Sequence, residues 1–491
     1  MYFLGYDVGS SSLKAVVYNS ATGQTIASSQ FPDEEMPIMA PEIGWAEQTP
    51  DMWWQACKEA TKRLLKSQGF DCRKIIGIGI SYQMHGLVVL DKTGAVLRPS
   101  IIWCDGRAVS IGDRAFNDLK REKCLAHLLN SPGNFTASKL RWIKENEPDI
   151  YNQIDCFFLP GDYLNYKLTG DKNTTLSGLS EGILWDFKEA KIADFLLNYY
   201  GIDKRLIPSI VPTFGEQGII SKIAAQELGL PEGIKVCYRA GDQPNNALSL
   251  NVLNAGEVAA TAGTSGVVYG VSDQIKYDSA SRVNTFAHVN HSNELNRLGI
   301  LLCINGTGIS NAWLKRMMGR FSYEEMNQLA SETPRGAAGL LFLPFGNGAE
   351  RMLSNKNTGA RLLNLNFNTH HEGHLCRAIQ EGIVFSFQEG LTIMNDLGVQ
   401  PNVIRAGNAN LFLSPLFRQL LADISGIPIE LYDTDGAKGA AIGAAIGFGA
   451  TDFDSAFQNL DIIKITQPSK DNAAILEVYN KWSQQLSSLV D

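Results

Sequence analysis

The chain has 491 residues, of which 44% are apolar and 19% charged, and its formal net charge is −8. This composition is typical of a globular protein with sizeable cores, and the length predicts about three domains, although two large ones fit as well. A mildly acidic chain without a basic run argues against nucleic acid as the main partner. The eight cysteines are scattered and form no CxxC pair, which predicts reduced thiols rather than disulfides or a zinc site.

The N-terminal segment MYFLGYDVGSSS lacks the basic region and cleavage site of a signal peptide. The most apolar tract, GAAIGAAIGFGA from Gly439, is too short and too rich in small residues to span a membrane. These features predict a cytoplasmic protein without a membrane partner.

The first elements alternate between strands and helices. YFLGYDVGSSSLKAVVYN predicts a strand, a tight turn at Gly9 and a return strand, and a third strand is expected at residues 22–28. Residues 51–65 predict a helix with Thr49 as its cap and Pro50 in its first turn. IIGIGISY, residues 75–82, predicts a strand buried on both faces. This order indicates an α/β architecture.

The same plan recurs after a helix-rich stretch from about residue 108 to about residue 230. KVCYRAGDQPNNAL predicts a strand that ends at Gly241 and Asp242, and EVAATAGTSGVVYGVS then repeats the first strand–turn–strand pattern about 255 residues further on. We therefore expect two domains of common ancestry around a central cleft, residues 1–247 and 248–491.

The second half predicts further elements. Strands are expected at residues 298–304 and 339–345 and at NVIRAG, and helices at residues 375–397 and 414–425. The tail after Asp452 is expected to be helical and peripheral.

The two glycine–hydroxyl turns are candidate phosphate-binding loops. Small residues let backbone N–H groups converge on an anion. The donors are Gly9, Ser10, Ser11 and Ser12 in the first turn, with Lys14 adding a positive charge, and Gly263, Thr264, Ser265 and Gly266 in the second. One such turn alone is more often an ordinary hairpin. The turn occurs twice, and each copy lies near a carboxylate in the sequence, which favours phosphate binding.

Those carboxylates are Asp7 and Asp242. Asp7 ends the first strand and is placed to hold Mg²⁺ near nucleotide phosphates, or simply caps the turn. Asp242 ends an apolar strand, where it can accept the proton of an attacking hydroxyl; the alternative is an N-cap for the next helix, which Pro244 would begin.

Polar side chains also follow two other strands. Gln83, Met84 and His85 follow IIGIGISY, and Trp103, Asp105 and Arg107 follow SIIW. Strand ends line clefts in α/β sheets, so these groups predict a sugar site. Taken alone, His85 would more often be a core histidine.

Other motifs exclude or weaken alternatives. The sequence has no GxxxxGK[ST], no HRD or DFG set and no GxGxxG, so P-loop and protein kinases are excluded. The GxSxG at residues 178–182 follows a polar segment, and we interpret it as a chance match or a loop. The cluster of His370, His371 and His374 lacks a paired carboxylate for a metal site.

Together these segments resemble the FGGY carbohydrate kinases over nearly the whole chain, and the xylulokinases within that family most. The motifs are YDVGSSSLKAVVYN, GWAEQTPDMWW, QMHG, LDKTGAVLRPSIIWCDGR and the central AGD, with FTASKLRWIKEN and HLCRAIQEG at the two family signatures. The resemblance implies two ribonuclease-H-like domains of the actin, hexokinase and Hsp70 type. It implies that Asp242 is the catalytic base, that Met84 and His85 bind the ketose, and that Asp7 is associated with Mg²⁺. It also places Gly407, Asn408, Ala409 and Asn410 near the adenine of ATP.

The resulting hypothesis is ATP-dependent in-line phosphorylation of D-xylulose, with the sugar on the first domain and MgATP chiefly on the second. A kinase for L-ribulose, L-xylulose or a polyol is the nearest alternative. A sugar-independent actin-like ATPase and a serine hydrolase using Ser180 are the alternatives from other classes. Members of the family are often dimers, so a homodimer is compatible with the resemblance.

Overall fold

The computed structural model describes residues 1–67 and 69–490. Two compact units are present. The first comprises Met1–Asn251, Phe286–Leu298 and Thr434–Leu460, and the second comprises Val252–Thr285, Gly299–Asp433 and the chain from Asp461 to its described end. The sequence predicted one division after residue 247, whereas the division follows residue 251 and each unit gathers three segments. The reason is that a helix occupies residues 242–249, so the chain cannot change units within it.

The first unit begins with a sheet and continues with a helix-rich stretch. Its opening elements are β1 (Tyr2–Val8), β2 (Leu13–Asn19), β3 (Gln24–Phe31), β4 (Glu47–Gln48), α1 (Pro50–Lys66), β5 (Ile75–Tyr82), β6 (Val88–Leu90) and β7 (Ser100–Ile101). The stretch that follows contains α2 (Val109–Asp118), α3 (Arg121–Leu128), α4 (Thr136–Asn146), α5 (Pro148–Tyr151), β8 (Cys156–Phe158), α6 (Pro160–Thr169), β9 (Asn173–Thr175), α7 (Leu176–Glu181), β10 (Trp185–Asp186), β11 (Lys191–Ile192), α8 (Asp194–Tyr200), β12 (Ser209–Val211), α9 (Lys222–Leu228), β13 (Lys235–Gly241) and α10 (Asp242–Ser249).

The remaining elements are β14 (Glu257–Ala262), β15 (Gly266–Ser272), β16 (Asn284–Ala287), β17 (Leu298–Ile304), α11 (Gly308–Met318), α12 (Tyr323–Glu332), β18 (Leu341–Leu343), β19 (Arg361–Leu363), α13 (Glu372–Asp396), β20 (Val403–Gly407), α14 (Pro415–Ser425), β21 (Ile429–Tyr432), α15 (Gly436–Phe448), β22 (Ile462–Thr466) and α16 (Ala473–Val490). Of these, α15 belongs to the first unit.

The two main sheets share a central arrangement. The first has the strand order β13-β5-β1-β2-β3, and the second has β16-β17-β15-β14-β20-β21-β22. In each, an antiparallel hairpin (β1–β2 or β14–β15) has one strand, β3 or β17, beside its second strand and two parallel strands beyond its first. The two copies of the predicted strand–turn–strand pattern are therefore hairpins at the same place in their sheets.

Helix α15 contains the tract that is most apolar in the sequence, and it packs on the first sheet. Glycines in the strands allow the close approach: a Cβ atom on Gly5 would lie 1.9 Å from the Ala437 carbonyl oxygen, and one on Gly79 would lie 2.0 Å from that of Ala440. The small residues of α15 thus serve helix-to-sheet packing. No helix in the described part of the chain is long and apolar enough to cross a membrane.

The second half differs from the expectations in two places. The strand expected at residues 339–345 is present but shorter, Leu341–Leu343, and it pairs with β19. The tail was expected to be helical and peripheral, but β22 pairs with β21, and Trp482 of α16 has no exposed surface. The Trp482 indole donates a hydrogen bond to the Phe342 carbonyl oxygen at 2.7 Å, so the tail completes the core of the second unit.

Candidate functional site

The first phosphate-loop candidate is the turn between β1 and β2. The Gly9 N–H donates to the Ser12 carbonyl oxygen at 3.0 Å and closes the turn, while Ser11 is exposed and Ser10 is partly exposed. Lys14 lies opposite Asp7 in the hairpin and forms an ion pair with Asp435, the N-cap residue of α15. The positive charge expected at this turn is thus already balanced by one carboxylate.

Asp7 faces the start of α15 from the end of β1. Its Oδ1 accepts a hydrogen bond from the Ser81 hydroxyl at 2.7 Å, and a Cβ atom on Gly436 would lie only 2.2 Å from its Oδ2. Burial raises the pKa of the Asp7 carboxyl despite that hydrogen bond. The glycine therefore leaves room for a carboxylate at the point where β1 and α15 meet.

Asp242 begins α10 immediately after β13. Burial, followed by the negative charge of Asp7, raises the pKa of the Asp242 carboxyl to about 7. The Gln243 side-chain amide donates to it at 3.3 Å. A carboxyl with a pKa near neutrality is suited to accept a proton from a hydroxyl.

The two carboxylates also test whether a magnesium ion fits. No group of three or more His, Cys, Asp or Glu residues that could hold a metal ion occurs in the described chain. Mg²⁺, however, is usually held by one or two carboxylates together with substrate phosphates. Asp7, at the end of β1, supplies such a hard oxygen donor. The residues present fit the ion.

The predicted sugar ligands follow β5. Gln83 and Met84 are buried, and His85 adopts φ 62°, a left-handed conformation that turns the chain sharply after the strand. His85 Nδ1 lies 2.9 Å from the Glu181 carbonyl oxygen, and its ring packs edge-on against Phe135 at 4.7 Å. The structure therefore places these three side chains together at one strand end.

Gln48 is a residue that the sequence reasoning missed. It is fully buried, and its amide donates to the Ser10 carbonyl oxygen at 2.6 Å. Its side-chain oxygen accepts hydrogen bonds from Gln83 at 3.2 Å and from the Trp53 indole at 3.0 Å. One amide thus connects the first phosphate turn with the QMHG segment. The only signal was its position in GWAEQTPDMWW, a segment that carried the family resemblance.

Glu181 was also missed, although it lies inside the GxSxG motif. A Cβ atom on Gly241 would lie 2.4 Å from Glu181 Oε2 and 2.6 Å from Met84 Cγ, so this carboxyl adjoins the residue before Asp242. Burial raises the pKa of Glu181 well above its usual value, and the charge of Asp242 acts in the same direction. Glu181 is therefore a buried acid of raised pKa beside the predicted base.

Ser180 of the same motif is not placed as a nucleophile. It is 2% exposed inside α7, and its Oγ accepts a hydrogen bond from the Ala287 N–H at 2.8 Å. A nucleophile elbow would instead expose the serine at a sharp strand-to-helix turn. The serine hydrolase alternative has no support in this geometry.

The WCDGR segment divides into an exposed and a buried part. Trp103 is 53% exposed, and its indole lies 3.5 Å from the Ser10 hydroxyl. Asp105 has no exposed surface and accepts hydrogen bonds from the Ala46 N–H at 2.5 Å and the Arg107 guanidinium at 2.6 Å. In this conformation Asp105 lies beneath the loop rather than on its surface. Sugar contact by Asp105 stays a prediction.

The second unit contains a cavity of about 1120 Å³. It lies between the β14–β15 turn, α11, α12 and the segment before α14. Its lining residues are Ala262, Gly263, Thr264, Gly308, Ile309, Asn311, Ala312, Arg316, Tyr323, Glu324, Asn327, Gln328, Ser331, Asn410, Leu411, Leu413 and Pro415. The volume falls in the range of small-molecule sites.

The β14–β15 turn is supported by the start of α11. The Gly308 N–H donates to the Gly263 carbonyl oxygen at 2.9 Å, and the Ile309 N–H donates to that of Thr264 at 3.0 Å. A Cβ atom on Gly308 would lie 2.1 Å from the Gly263 carbonyl oxygen, so only glycine allows this approach. The turn is held against a helix N-terminus, an environment that favours anions.

The predicted nucleotide-binding residues of this unit separate into two groups. Gly263, Thr264 and Asn410 line the cavity, whereas Ser265, Gly407 and Asn408 do not appear among its described lining residues. The Asn408 N–H donates to the Tyr432 carbonyl oxygen at 3.0 Å. Asn410 has φ 55°, a left-handed conformation that asparagine tolerates better than most residues. The base-contacting role of this loop stays a prediction.

The histidine cluster has a structural role. His371 is the N-cap residue of α13, and its Nδ1 accepts a hydrogen bond from the Gly373 N–H at 3.2 Å. The His371 and His374 rings pack at 4.2 Å.

Comparisons with known proteins bear on the family and the fold of the chain. Residues 2–249 match the N-terminal domain, and residues 258–449 the C-terminal domain, of the FGGY family of carbohydrate kinases. The chain is 30% identical over 458 residues to a xylulose kinase of Bacillus subtilis (strain 168), covering 91% of this chain and 88% of that protein. It is 31% identical over 461 residues to an L-xylulose/3-keto-L-gulonate kinase of Escherichia coli (strain K12), with coverage of 91% and 88%.

A crystal structure of xylulose kinase from Rhodospirillum rubrum superposes with a TM-score of 0.89 at 26% identity, covering 100% of this chain and 99% of that one. The likeness confirms the predicted two-domain α/β fold of the actin and hexokinase type.

Proposed function

The chain belongs to the FGGY family of carbohydrate kinases, and from this premise we propose that it transfers the γ-phosphoryl group of ATP to D-xylulose, forming D-xylulose 5-phosphate. The observation that carries the mechanism is Asp242, a carboxyl at a strand end whose pKa is raised to about 7. Such a group is protonated and deprotonated readily at neutral pH, as a general base must be.

In the proposed reaction the terminal hydroxyl oxygen of the ketose attacks the γ-phosphorus while its proton passes to Asp242. The bond between the γ-phosphorus and the bridging oxygen breaks, and ADP leaves. Gln83, Met84 and His85 hold the sugar on the first unit, and Trp103 offers an exposed ring for its apolar face. The Gly263–Thr264 turn and the cavity beside it bind the nucleotide on the second unit. Asp7 would hold Mg²⁺, which when bound would neutralise phosphate charge.

The choice of D-xylulose is supported by similarity to xylulose kinases over about nine-tenths of the chain. L-xylulose is the second candidate, because the relative from Escherichia coli whose printed name includes that sugar is 31% identical. L-ribulose and polyols complete the set of acceptors to be tested.

An ADP-release assay over D-xylulose, L-xylulose, L-ribulose, glycerol, gluconate and no sugar tests the proposal. We expect the highest kcat/KM with D-xylulose and little ADP release without sugar. Equal ADP release with and without sugar would indicate a sugar-independent ATPase, and a preference for another acceptor would reassign the substrate. Ser180→Ala is a suitable control, because Ser180 is buried and carries no step of the proposed reaction.

Three further predictions accompany this function. The first is a magnesium requirement, which titration with a chelator tests. The second is a cytoplasmic location, which fractionation tests. The third is a homodimer, which light scattering tests.

A further inference from the structure

Lys139 lies in the middle of α4 and has no exposed surface. Its ammonium group donates one hydrogen bond to the His85 carbonyl oxygen and one to the Ile102 carbonyl oxygen, each at 2.9 Å. His85 follows β5, and Ile102 follows β7 and directly precedes Trp103. A single side chain thus joins the two segments that carry the predicted sugar-binding groups.

The surroundings of Lys139 explain why a lysine is held there. Burial lowers the pKa of its ammonium group to about 7, and the negative charge of Asp105 acts in the opposite direction. Cys104 also favours the charged form, whereas Arg107 disfavours it. Arg107 is itself engaged by Asp105 and by Glu47 at 2.7 Å. The Lys139 side-chain nitrogen therefore remains the donor that the two carbonyl groups share, because it carries at least two N–H groups in either protonation state.

The two carbonyl groups lie outside the regular strands. Ile102 directly follows β7, His85 lies three residues after β5 ends, and a buried carbonyl group that loses a donor is costly. The left-handed conformation of His85 also has to be maintained by its surroundings. An apolar side chain at position 139 could fill the space but could not hold the two segments together.

We propose that Lys139 is a positioning residue for sugar binding, which fixes the QMHG segment relative to Trp103 through the carbonyl groups of His85 and Ile102. This inference rests on the proposed function, because it assumes that these two segments contact the sugar. Lys139 itself is enclosed by protein and does not touch the substrate.

The test compares Lys139→Met and Lys139→Gln with Lys144→Met. Lys144 is on the same helix and also donates to a backbone carbonyl, that of Gly201, but it is away from both sugar segments. For each protein, the KM for D-xylulose, the KM for ATP, kcat and the melting temperature are measured.

We expect Lys139→Met to lower kcat/KM for D-xylulose by about 10- to 100-fold, since small misplacements of binding groups have effects of this size. The KM for ATP should be unchanged, because the predicted nucleotide cavity lies in the other unit. Lys139→Gln should recover part of the loss, because its amide nitrogen can donate two hydrogen bonds. Lys144→Met should match the wild type.

Several results would overturn the inference. A wild-type KM for the sugar in Lys139→Met would show that the two carbonyl groups need no lysine. Parallel losses for sugar and ATP, or failure of both position-139 variants to fold, would make Lys139 a purely structural residue. A wild-type protein that phosphorylates no sugar would instead overturn the proposed function, and this inference with it.

Discussion

The carboxylate of Asp7 lies close enough to Asp242 for its negative charge to raise the pKa of Asp242. The two residues end strands that both flank β5 in the first sheet, Asp7 near the end of β1 and Asp242 directly after β13. Neighbouring parallel strands bring their carboxyl ends to one edge of a sheet. That placement produces both a pair of oxygen donors and a base of raised pKa.

The raised pKa predicts the pH dependence of turnover. Asp242 must be deprotonated to accept the hydroxyl proton, so kcat/KM for the sugar should rise with pH and level off above about 7. The hydrogen bond from Gln243 lowers the pKa of Asp242, so Gln243→Leu should move this acidic limb to higher pH. Steady-state rates from about pH 5 to about pH 9 would show both effects. An acidic limb near the ordinary aspartate value in both proteins would contradict the assignment.

Replacement of Asp242 should separate stability from activity. The pKa of Asp242 is higher in the folded than in the unfolded protein, so its contribution to stability is present below the unfolded pKa and lost as pH rises through about 7. Asp242→Asn should therefore melt at a higher temperature than the wild type at alkaline pH, and the difference should vanish in acid.

The same variant should lose about 10²- to 10⁴-fold in kcat, the usual contribution of a general base. Calorimetry and the ADP-release assay provide the two measurements, with sugar and nucleotide binding as the control. Near-normal turnover in Asp242→Asn would exclude it as the base.

Replacement of Gly308 should weaken nucleotide binding without affecting sugar binding. A methyl group in Gly308→Ala would lie 2.1 Å from the Gly263 carbonyl oxygen and would displace the turn that carries Thr264. We expect the KM for ATP to rise by about 10-fold or more, without a change in the KM for the sugar. Gly390→Ala is a matched control in the same unit, because the atoms nearest to its methyl group would belong to the Leu302 side chain, at 3.1 Å. Equal effects on both substrates would argue against a nucleotide site at this turn.

Trp482 should be a determinant of stability in the second unit. The side chain is fully buried, so Trp482→Ala should cost about 3–5 kcal/mol in the free energy of unfolding. Trp482→Phe should cost about 1–3 kcal/mol, because the Phe342 carbonyl oxygen loses its indole donor. Denaturant titrations measure both values, and the exposed neighbour Lys481 provides the control Lys481→Ala. Changes below those of the control would show that the tail is peripheral after all.

Much of the candidate site could be predicted from sequence because its residues sit at the ends of locally encoded elements. β5 occupies residues 75–82 as predicted, since a continuous apolar run between polar segments indicates a buried strand. The glycine–hydroxyl turns and Asp242 follow such strands directly, Asp7 lies near the end of one, and His85 lies three residues beyond another. Periodicity and turn composition act over a few residues, so the sequence alone determined these elements and the polar groups at their ends.

Only the tertiary structure decided which distant residues meet. Lys139, Gln48 and Glu181 lie on short or ordinary elements, and their importance comes from partners 35 to 96 residues away in the chain. Helix α15 packs on the first sheet and β22 joins the second, and neither contact could be predicted, because no local sequence pattern encodes a contact between distant segments. The pKa shifts also depend on the folded structure. Burial raises the pKa of Asp242 and lowers that of Lys139, and these side chains are buried only once the units are folded.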